Sequence, residues 1–217
     1  MYLIGSLAMN RIISIWLMVG LVGFLVLPWY VIEDGFWGLD WIFDGYPLDT
    51  DYAPAIVQVF DGGKAWLAPL LIFLLMPVAT WGRVKSDPFY SSVLIFSGLG
   101  GLIYLLAQGF SIGISGWEFS EFESIFGPLD DRQFGLGYGA LFVSVSFLFA
   151  LTQGIAARGA VNGDVFVVSS IGLVIALVAT FVFFPVLQIL SSALRDGEGI
   201  YSLATFLTKF SSQKIWG

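Results

Sequence analysis

The chain has 217 residues, of which 58% are hydrophobic and only 12% are charged, and its mean hydropathy is +0.89. A soluble domain carries about 25% charged residues, so this composition favours a protein whose surroundings are lipid. There is no cysteine and no histidine, which excludes disulfides, thiolate metal sites and histidine acid–base catalysis. The net charge of −7 argues against a nucleic-acid-binding surface, so we expect no nucleic acid partner.

Five apolar stretches fill most of the chain, and almost all charged residues lie between them. A helix needs roughly 20 apolar residues to cross a hydrocarbon core of about 30 Å. The pattern therefore predicts an all-α membrane protein with five transmembrane helices and interfacial helices in its outer loops. The transmembrane domain is expected over 1–193, followed by an outer segment at 194–217, with spans at 12–31, 65–81, 91–109, 134–156 and 166–193.

The first stretch follows Arg11 and resembles a signal peptide, but it exceeds the about 7–15 residues of a signal-peptide apolar region. We interpret it as a retained first helix. Counts of Lys and Arg favour neither side of the membrane. With the N-terminus in the cytoplasm, however, the inner segments are much shorter and therefore denser in basic residues, which agrees with the positive-inside rule. These segments are 1–11, 82–90 and 157–165, and they hold Arg11, Arg83, Lys85 and Arg158.

The outer segments combine acidic residues with large aromatic residues. In the first, 36–43 predicts a short interfacial helix and 54–60 a second helical piece. In the second, Phe119, Phe122, Ile125 and Phe126 fall at helical spacing and predict a helix on the membrane surface. That helix could dock a partner or lie in lipid without one. The carboxylates of the first segment fit no metal-binding loop, and solvated acidic side chains are the favoured interpretation.

The interiors of the predicted spans carry no Asp, Glu, Lys or Arg, which argues against a proton-coupled transporter or a pump in this chain alone. Gln108, Gln153 and Gln188 lie near predicted span ends and predict interfacial hydrogen bonds. Two glycine clusters predict close packing of the third and fourth spans, because small residues let helix backbones approach. The clusters are Gly98, Gly100 and Gly101, then Gly135, Gly137 and Gly139. Three prolines within the spans, Pro69, Pro77 and Pro185, predict kinks.

No catalytic motif is present: the sequence has no P-loop, no H-E-x-x-H, no G-x-S-x-G and no dinucleotide fingerprint. We therefore expect a protein that is not an enzyme. It should have no catalytic, cofactor-binding or metal-binding residues, and no cofactor.

Three strings carry a family resemblance: LPWYVIEDGFWGLDWIFDGYPLDTDYAPA, LAQGFSIGISGWEFSEFESIFGPLDDRQFGLGYGALF and FVFFPVLQILSSALRDGEGIYSLATFLTKFSSQKIWG. The chain resembles the amino-terminal region of a bacterial ABC transporter permease, of the double-length, binding-protein-dependent ferric-iron type. The resemblance implies a multi-pass subunit of the bacterial inner membrane that takes part in iron(III) import. Its implied partners are cytoplasmic ABC ATPase subunits, a periplasmic substrate-binding protein and the lipid bilayer.

The chain departs from this family at one motif. Such permeases carry a cytoplasmic coupling loop, roughly E-A-A followed three residues later by G, and the nearest string here is IAARGAVNGD. The expectation is therefore a fragment that holds the leading helices, with the permease core beginning in 194–217, and no family site residue is carried over. The alternative is a structural or assembly membrane protein without transport activity of its own.

Overall fold

The computed structural model describes residues 2–30, 37–43, 45–49, 52–113, 116–129, 135–194 and 211, without the side chains of residues 2–10 and Asp40. The described chain is mostly helical. The helices are α1 (Tyr2–Leu25), α2 (Ala55–Phe60), α3 (Ala68–Leu75), α4 (Pro88–Ser111), α5 (Ser120–Phe126), α6 (Tyr138–Ala157), α7 (Val165–Val178) and α8 (Phe184–Ala193). A two-stranded antiparallel hairpin joins β1 (Ile112–Gly113) to β2 (Gly116–Trp117).

Three helices are long and apolar enough to cross a membrane: α4, α6 and the continuous helix Val165–Ala193, which we call the long helix. They coincide with the third, fourth and fifth predicted spans to within a few residues. The coarse prediction of a helical, membrane-embedded protein is therefore confirmed. Two shorter apolar helices, Arg11–Leu25 and Ala65–Thr80, lie at the first and second predicted spans.

Helix α1 is displaced along the sequence from its predicted span of 12–31. It begins at Tyr2 and ends at Leu25, so Arg11 lies inside the helix rather than before it. The early end has a local cause, because Pro28 has no backbone N–H and restricts the residue before it. Beyond the helix, Trp29 and Tyr30 are both buried, and Tyr30 forms an isolated β-bridge with Leu136.

The second apolar stretch is not one regular α-helix. It consists of a 3₁₀ turn at Ala65–Leu67, the eight residues of α3, and a second 3₁₀ turn at Met76–Thr80. Pro69 lies in the first turn of α3 and Pro77 in the first turn of the second 3₁₀ segment. Each proline removes a donor where a helix leaves its first N–H groups unpaired, so the prolines mark the boundaries between the pieces.

Residues 1–172 form one compact unit. Within it α6 packs along both α1 and α4, and α3 packs against α4. The core contains large side chains that are almost fully buried, including Phe24, Trp29, Leu70, Leu74 and Phe147.

Glycines set how closely the helices approach, as predicted, and the first cluster has the predicted partner, whereas the second does not. A Cβ atom at Gly98 would lie 2.5 Å from the backbone nitrogen of Leu151, so α4 and α6 touch through their backbones. The glycines at the start of α6 face α1 instead: a Cβ at Gly139 would lie 2.6 Å from the carbonyl oxygen of Gly23. Gly154, which the sequence analysis did not single out, provides the close contact of α6 with α4.

The outer segments hold shorter elements. The predicted helix at 36–43 is present only as a 3₁₀ turn at Asp40–Ile42, and Phe36 lies outside the described residues. The predicted piece at 54–60 is confirmed as α2. The third predicted helix is present as α5, and Gly127 ends it at a φ of 86° that only glycine adopts readily.

The second compact unit, 173–217, is described over 173–194 and at residue 211. It contains the end of α7, a π-helical turn at Ala179–Phe183, and α8. In the π turn the N–H of Phe184 donates to the carbonyl of Ala179, five residues back. Pro185 lies directly after the turn and lacks the N–H that would continue the α-helical ladder, which accounts for the irregularity.

Candidate functional site

A small cavity lies among α1, α3, α4 and α6. It measures about 10 Å³, and its lining includes the polar residues Ser97, Ser146 and Gln153. A cavity of this size holds about one water molecule. This cavity is therefore too small for a substrate.

Polar side chains inside the bundle join helices to each other. Ser97 of α4 donates to the carbonyl of Phe73 in α3 at 2.7 Å, and Thr152 of α6 lies 3.0 Å from the hydroxyl of Ser169 in α7. Tyr104 and Gln108 both donate to the carbonyl of Trp66, at 2.7 and 3.3 Å. The hydrogen bond predicted for Gln108 thus exists, but its acceptor is a neighbouring backbone group inside the protein.

One end of the bundle is aromatic, and it lies where α4 ends and α6 begins. The rings of Trp66 and Trp117 meet edge to face at 4.9 Å between centroids, and Trp117 stacks on Phe126 of α5 at 5.6 Å. The Trp117 indole also donates to the carbonyl of Gly127 at 2.9 Å. The aromatic side of α5 therefore packs on the bundle, while Ile125 remains 68% exposed.

The opposite end of the bundle is basic. Ile13 packs with Tyr90 and Leu94 at the start of α4 and with Ala157 at the end of α6, so Arg11 lies near the same level. The loop between Thr80 and Pro88 adds Arg83 and Lys85, and Arg158 is the C-cap of α6. The structure thus places Arg83, Lys85 and Arg158 at this end, and Arg11 lies two residues before Ile13, which packs there.

Asp87 is the N-cap of α4 and forms an ion pair at this basic end. Its carboxylate accepts from Arg83 at 2.8 Å and from the backbone N–H of Phe89 at 2.9 Å. The hydrogen bond from the Arg83 guanidinium, together with the Phe89 N–H, lowers the pKa of Asp87 below its usual value of 3.8. The guanidinium also lies 4.3 Å from the centroid of the Phe89 ring, which fixes its position further.

Beside this ion pair the guanidinium of Arg158 bridges α6 to the first turn of α4. Its Nε donates to the Ser91 hydroxyl at 3.4 Å, and its Nη2 donates to the Ser92 hydroxyl at 3.0 Å. Lys85 lines the same cleft. The sequence analysis placed Arg158 in an inner segment but assigned it no contact, because its partners lie 67 and 66 residues away along the chain.

A metal centre is not formed by the described residues. Across that part of the chain no group of three or more Asp or Glu side chains lies close enough to hold a metal ion. The acidic residues at 33, 34, 44, 51, 130 and 131 lie outside the described residues. The expected absence of catalytic, cofactor-binding and metal-binding residues remains a prediction.

No protein-family model matches this chain, and neither a curated protein nor a solved structure matches it.

Proposed function

We propose that the chain is a membrane-spanning subunit of an ABC importer, corresponding to the amino-terminal portion of a permease, with iron(III) as the expected cargo. The proposal comes from the sequence resemblance, and the observation that supports it best concerns the long helix. The string FFPVLQILSSAL, the part of the resemblance that would open a permease core, occupies 183–194 at the C-terminal end of this helix.

The side chains of this string are exposed along α8. Phe183, Val186, Leu187 and Ile189 are between 47% and 67% exposed. An apolar helix in lipid gains from contact with other helices through close packing rather than through removal of water. A helix of this kind can supply the first wall of a permease core whose remaining helices come from further polypeptide.

The five-span topology is part of the proposal. The second stretch has 16 residues, which is short for a regular helix, but half of them are in 3₁₀ turns. With rises of about 1.5 Å per α residue and about 2.0 Å per 3₁₀ residue, the stretch covers about 28 Å. This length approaches the about 30 Å of a hydrocarbon core, so the 3₁₀ turns compensate for the missing residues.

The proposed orientation places the basic end of the bundle in the cytoplasm of a bacterial inner membrane. Arg83, Lys85 and Arg158 lie at this end, and Arg11 lies two residues before Ile13, which packs there, in agreement with the positive-inside rule. Because the chain has no cysteine, single cysteines at Lys85 and at Glu123 can be labelled with an impermeant thiol reagent in spheroplasts. Labelling at Glu123 alone supports the orientation, and labelling at Lys85 alone reverses it.

The importer proposal is tested by isolating the tagged full chain from its native membrane in mild detergent. An ATPase subunit and a periplasmic iron(III)-binding protein should copurify with it, and the complex in proteoliposomes should take up radiolabelled iron(III) with ATP. A matched variant, Ile189→Gln, should lose the ATPase subunit if the exposed face of α8 packs in the permease core. Isolation of the chain in stable form without any ATPase would contradict the proposal.

A structural or assembly role is the second candidate, and the close helix packing favours it. The cavity among α1, α3, α4 and α6 measures only about 10 Å³, and small residues fix the backbone contacts between α4 and α6. Proteoliposomes can separate the two functions. If the other subunits transport iron(III) once assembled, and removal of this chain lowers only the yield of complex, the chain acts in assembly.

A further inference from the structure

We infer that the cleft at the basic end of the bundle binds an anionic phosphate group, supplied either by the headgroup of an anionic phospholipid or by a free phosphate ion. This site is independent of the importer proposal. The cleft has a volume of about 280 Å³ and lies between the loop that precedes α4, the first turn of α4 and the end of α6. Small-molecule sites usually begin at about 300 Å³, so the cleft suits a small polar group rather than a large ligand.

The donors that line the cleft match an oxyanion. Arg158 uses two N–H groups on Ser91 and Ser92, and a guanidinium has five, so donors remain for an incoming acceptor. The two serines also hold the guanidinium in one orientation, which reduces the entropy that a ligand must remove. Ser92 accepts from Arg158, so its own hydroxyl hydrogen can point into the cleft.

Lys85 supplies the second positive charge. It is exposed on the cleft wall, and among the described residues it takes part in no ion pair. A flexible ammonium group beside a fixed guanidinium is a common arrangement for binding phosphate, because the lysine acts as a point charge and the arginine as a planar donor.

The acid in the cleft wall is already neutralised. Among the described residues, Asp87 is the only acidic residue of the lining, and its carboxylate accepts from Arg83 and from the N–H of Phe89. The local charge of Arg83, Lys85, Asp87 and Arg158 together is therefore positive, despite the net charge of −7 of the whole chain. An anion at this place meets attraction from two cations and little repulsion.

The position of the cleft relates the site to membranes. It lies at the ends of α4 and α6, two of the helices that are long and apolar enough to cross a membrane. Basic pockets between membrane helices at the cytoplasmic surface recognise anionic lipid headgroups. A free phosphate ion offers the same oxygens, so the two sources are separated by experiment.

The test measures binding to the full chain purified in neutral detergent. Native mass spectrometry with phosphatidylglycerol and with phosphatidylcholine reports the lipid arm, and titration with inorganic phosphate reports the free-ion arm. Lys85→Gln should weaken anion binding about fivefold, and Arg158→Gln about tenfold. If phosphatidylglycerol binds and inorganic phosphate does not, the site is a lipid site. If inorganic phosphate binds and displaces phosphatidylglycerol, the site also takes the free ion.

The matched control is Lys64→Gln, which removes the same charge at the aromatic end, where Lys64 lies 4.4 Å from the centroid of the Tyr30 ring. This variant should bind like the wild type. Because Lys85 is exposed, we expect Lys85→Gln to fold even if Arg158→Gln, which loses the contacts with the two serines, does not. Circular dichroism checks the folding of both variants. Equal binding of either probe by wild type, Lys85→Gln and Arg158→Gln, or no binding of either probe, overturns the proposal.

Discussion

Helix α6 and the long helix are both apolar enough to cross a membrane, yet they differ in what surrounds them. In the most apolar part of α6, 56% of the residues are buried, against 11% in the long helix. Helix α6 presents Gly139 to α1 and Gly154 to α4, where backbones touch. The long helix presents β-branched and aromatic side chains such as Ile175 and Phe181, which are more than 60% exposed. Apolar character therefore determines the solvent of a helix, while small residues determine its partner.

The largest expected effect is a difference in the free energy of unfolding between two Phe→Ala variants. Phe147 of α6 is 1% exposed, and Phe181 of the long helix is 73% exposed. Phe147→Ala should lower the free energy of unfolding by about 3 kcal/mol, the low end for a buried aromatic, because lipid removes the water-transfer part of the cost. Phe181→Ala should leave it unchanged. Unfolding in mixed micelles with increasing sodium dodecyl sulfate measures both, and equal losses would remove the contrast between the two helices.

The next effect concerns backbone contact between α4 and α6. A methyl group at Gly98 meets backbone atoms of α6 that cannot move aside, so Gly98→Ala should cost about 1–3 kcal/mol. Gly135→Ala is the control, because among the described residues no atom outside its chain neighbours lies within 4 Å of a Cβ there. Thermal unfolding in detergent checks the pair. A neutral Gly98→Ala would mean that α4 and α6 separate more widely than in the structure.

A smaller effect on the free energy of unfolding is expected when serine hydroxyl groups are removed. Ser97 donates across the bundle to Phe73, whereas Ser192 donates to the carbonyl of Ile189 within its own helix. Interhelical hydrogen bonds of this kind contribute about 0.6 kcal/mol in membranes, so Ser97→Ala should cost about that amount. Ser192→Ala should cost less, and the same micelle titration resolves the difference. A larger loss at Ser192 would mean that the long helix is the more tightly held of the two regions.

The smallest effect depends on pH. The Arg83 guanidinium lowers the pKa of Asp87, so this carboxylate favours the folded state above pH 3.8 and loses that contribution as the pH falls through its lowered folded-state pKa. Asp87→Asn should therefore flatten the acid limb of a plot of unfolding midpoint against pH. The long helix also begins at a carboxylate, since Asp164 accepts from the backbone N–H groups of Phe166 and Val167, but among the described residues Asp164 forms no ion pair like that of Asp87 with Arg83. An unchanged acid limb would show that solvent screens the Arg83–Asp87 pair completely.

Hydropathy alone predicted the three longest helices well, because α4, α6 and the long helix are continuous apolar runs bounded by polar residues. It missed the start of α1, since Arg11 was taken as a boundary although the apolar residues before it continue the helix. It also missed the 3₁₀ turns around α3. Pro69 and Pro77 signalled an irregularity there, but the choice between a kink and a change of helix type depends on packing against α4.

The glycine pattern predicted close approach but not its direction. Gly98 and Gly101 do face α6, whereas Gly100 faces the ring of Phe73 and Gly137 faces the carbonyl of Tyr30. A single sequence shows where a small residue lies in a helix, but it does not show which other helix packs against that residue. The cleft at the basic end could not be predicted from the sequence either, because the contact of Arg158 with Ser91 joins residues that are distant along the chain.

The end of α1 is tied to the rest of the chain by backbone hydrogen bonds. Trp29 donates to Ala53 at 3.2 Å, while Gly137 donates to Trp29 and Gly139 to Pro28, both at 2.8 Å. Two of these bonds, from Gly137 and Gly139, join the end of α1 to the start of α6, and the third joins it to the segment before α2. Sliding of α1 along α6 would therefore break the two bonds to α6. At the basic end of the bundle, the described residues form no backbone hydrogen bond between α1 and α6, so resistance to such a movement is concentrated at the aromatic end.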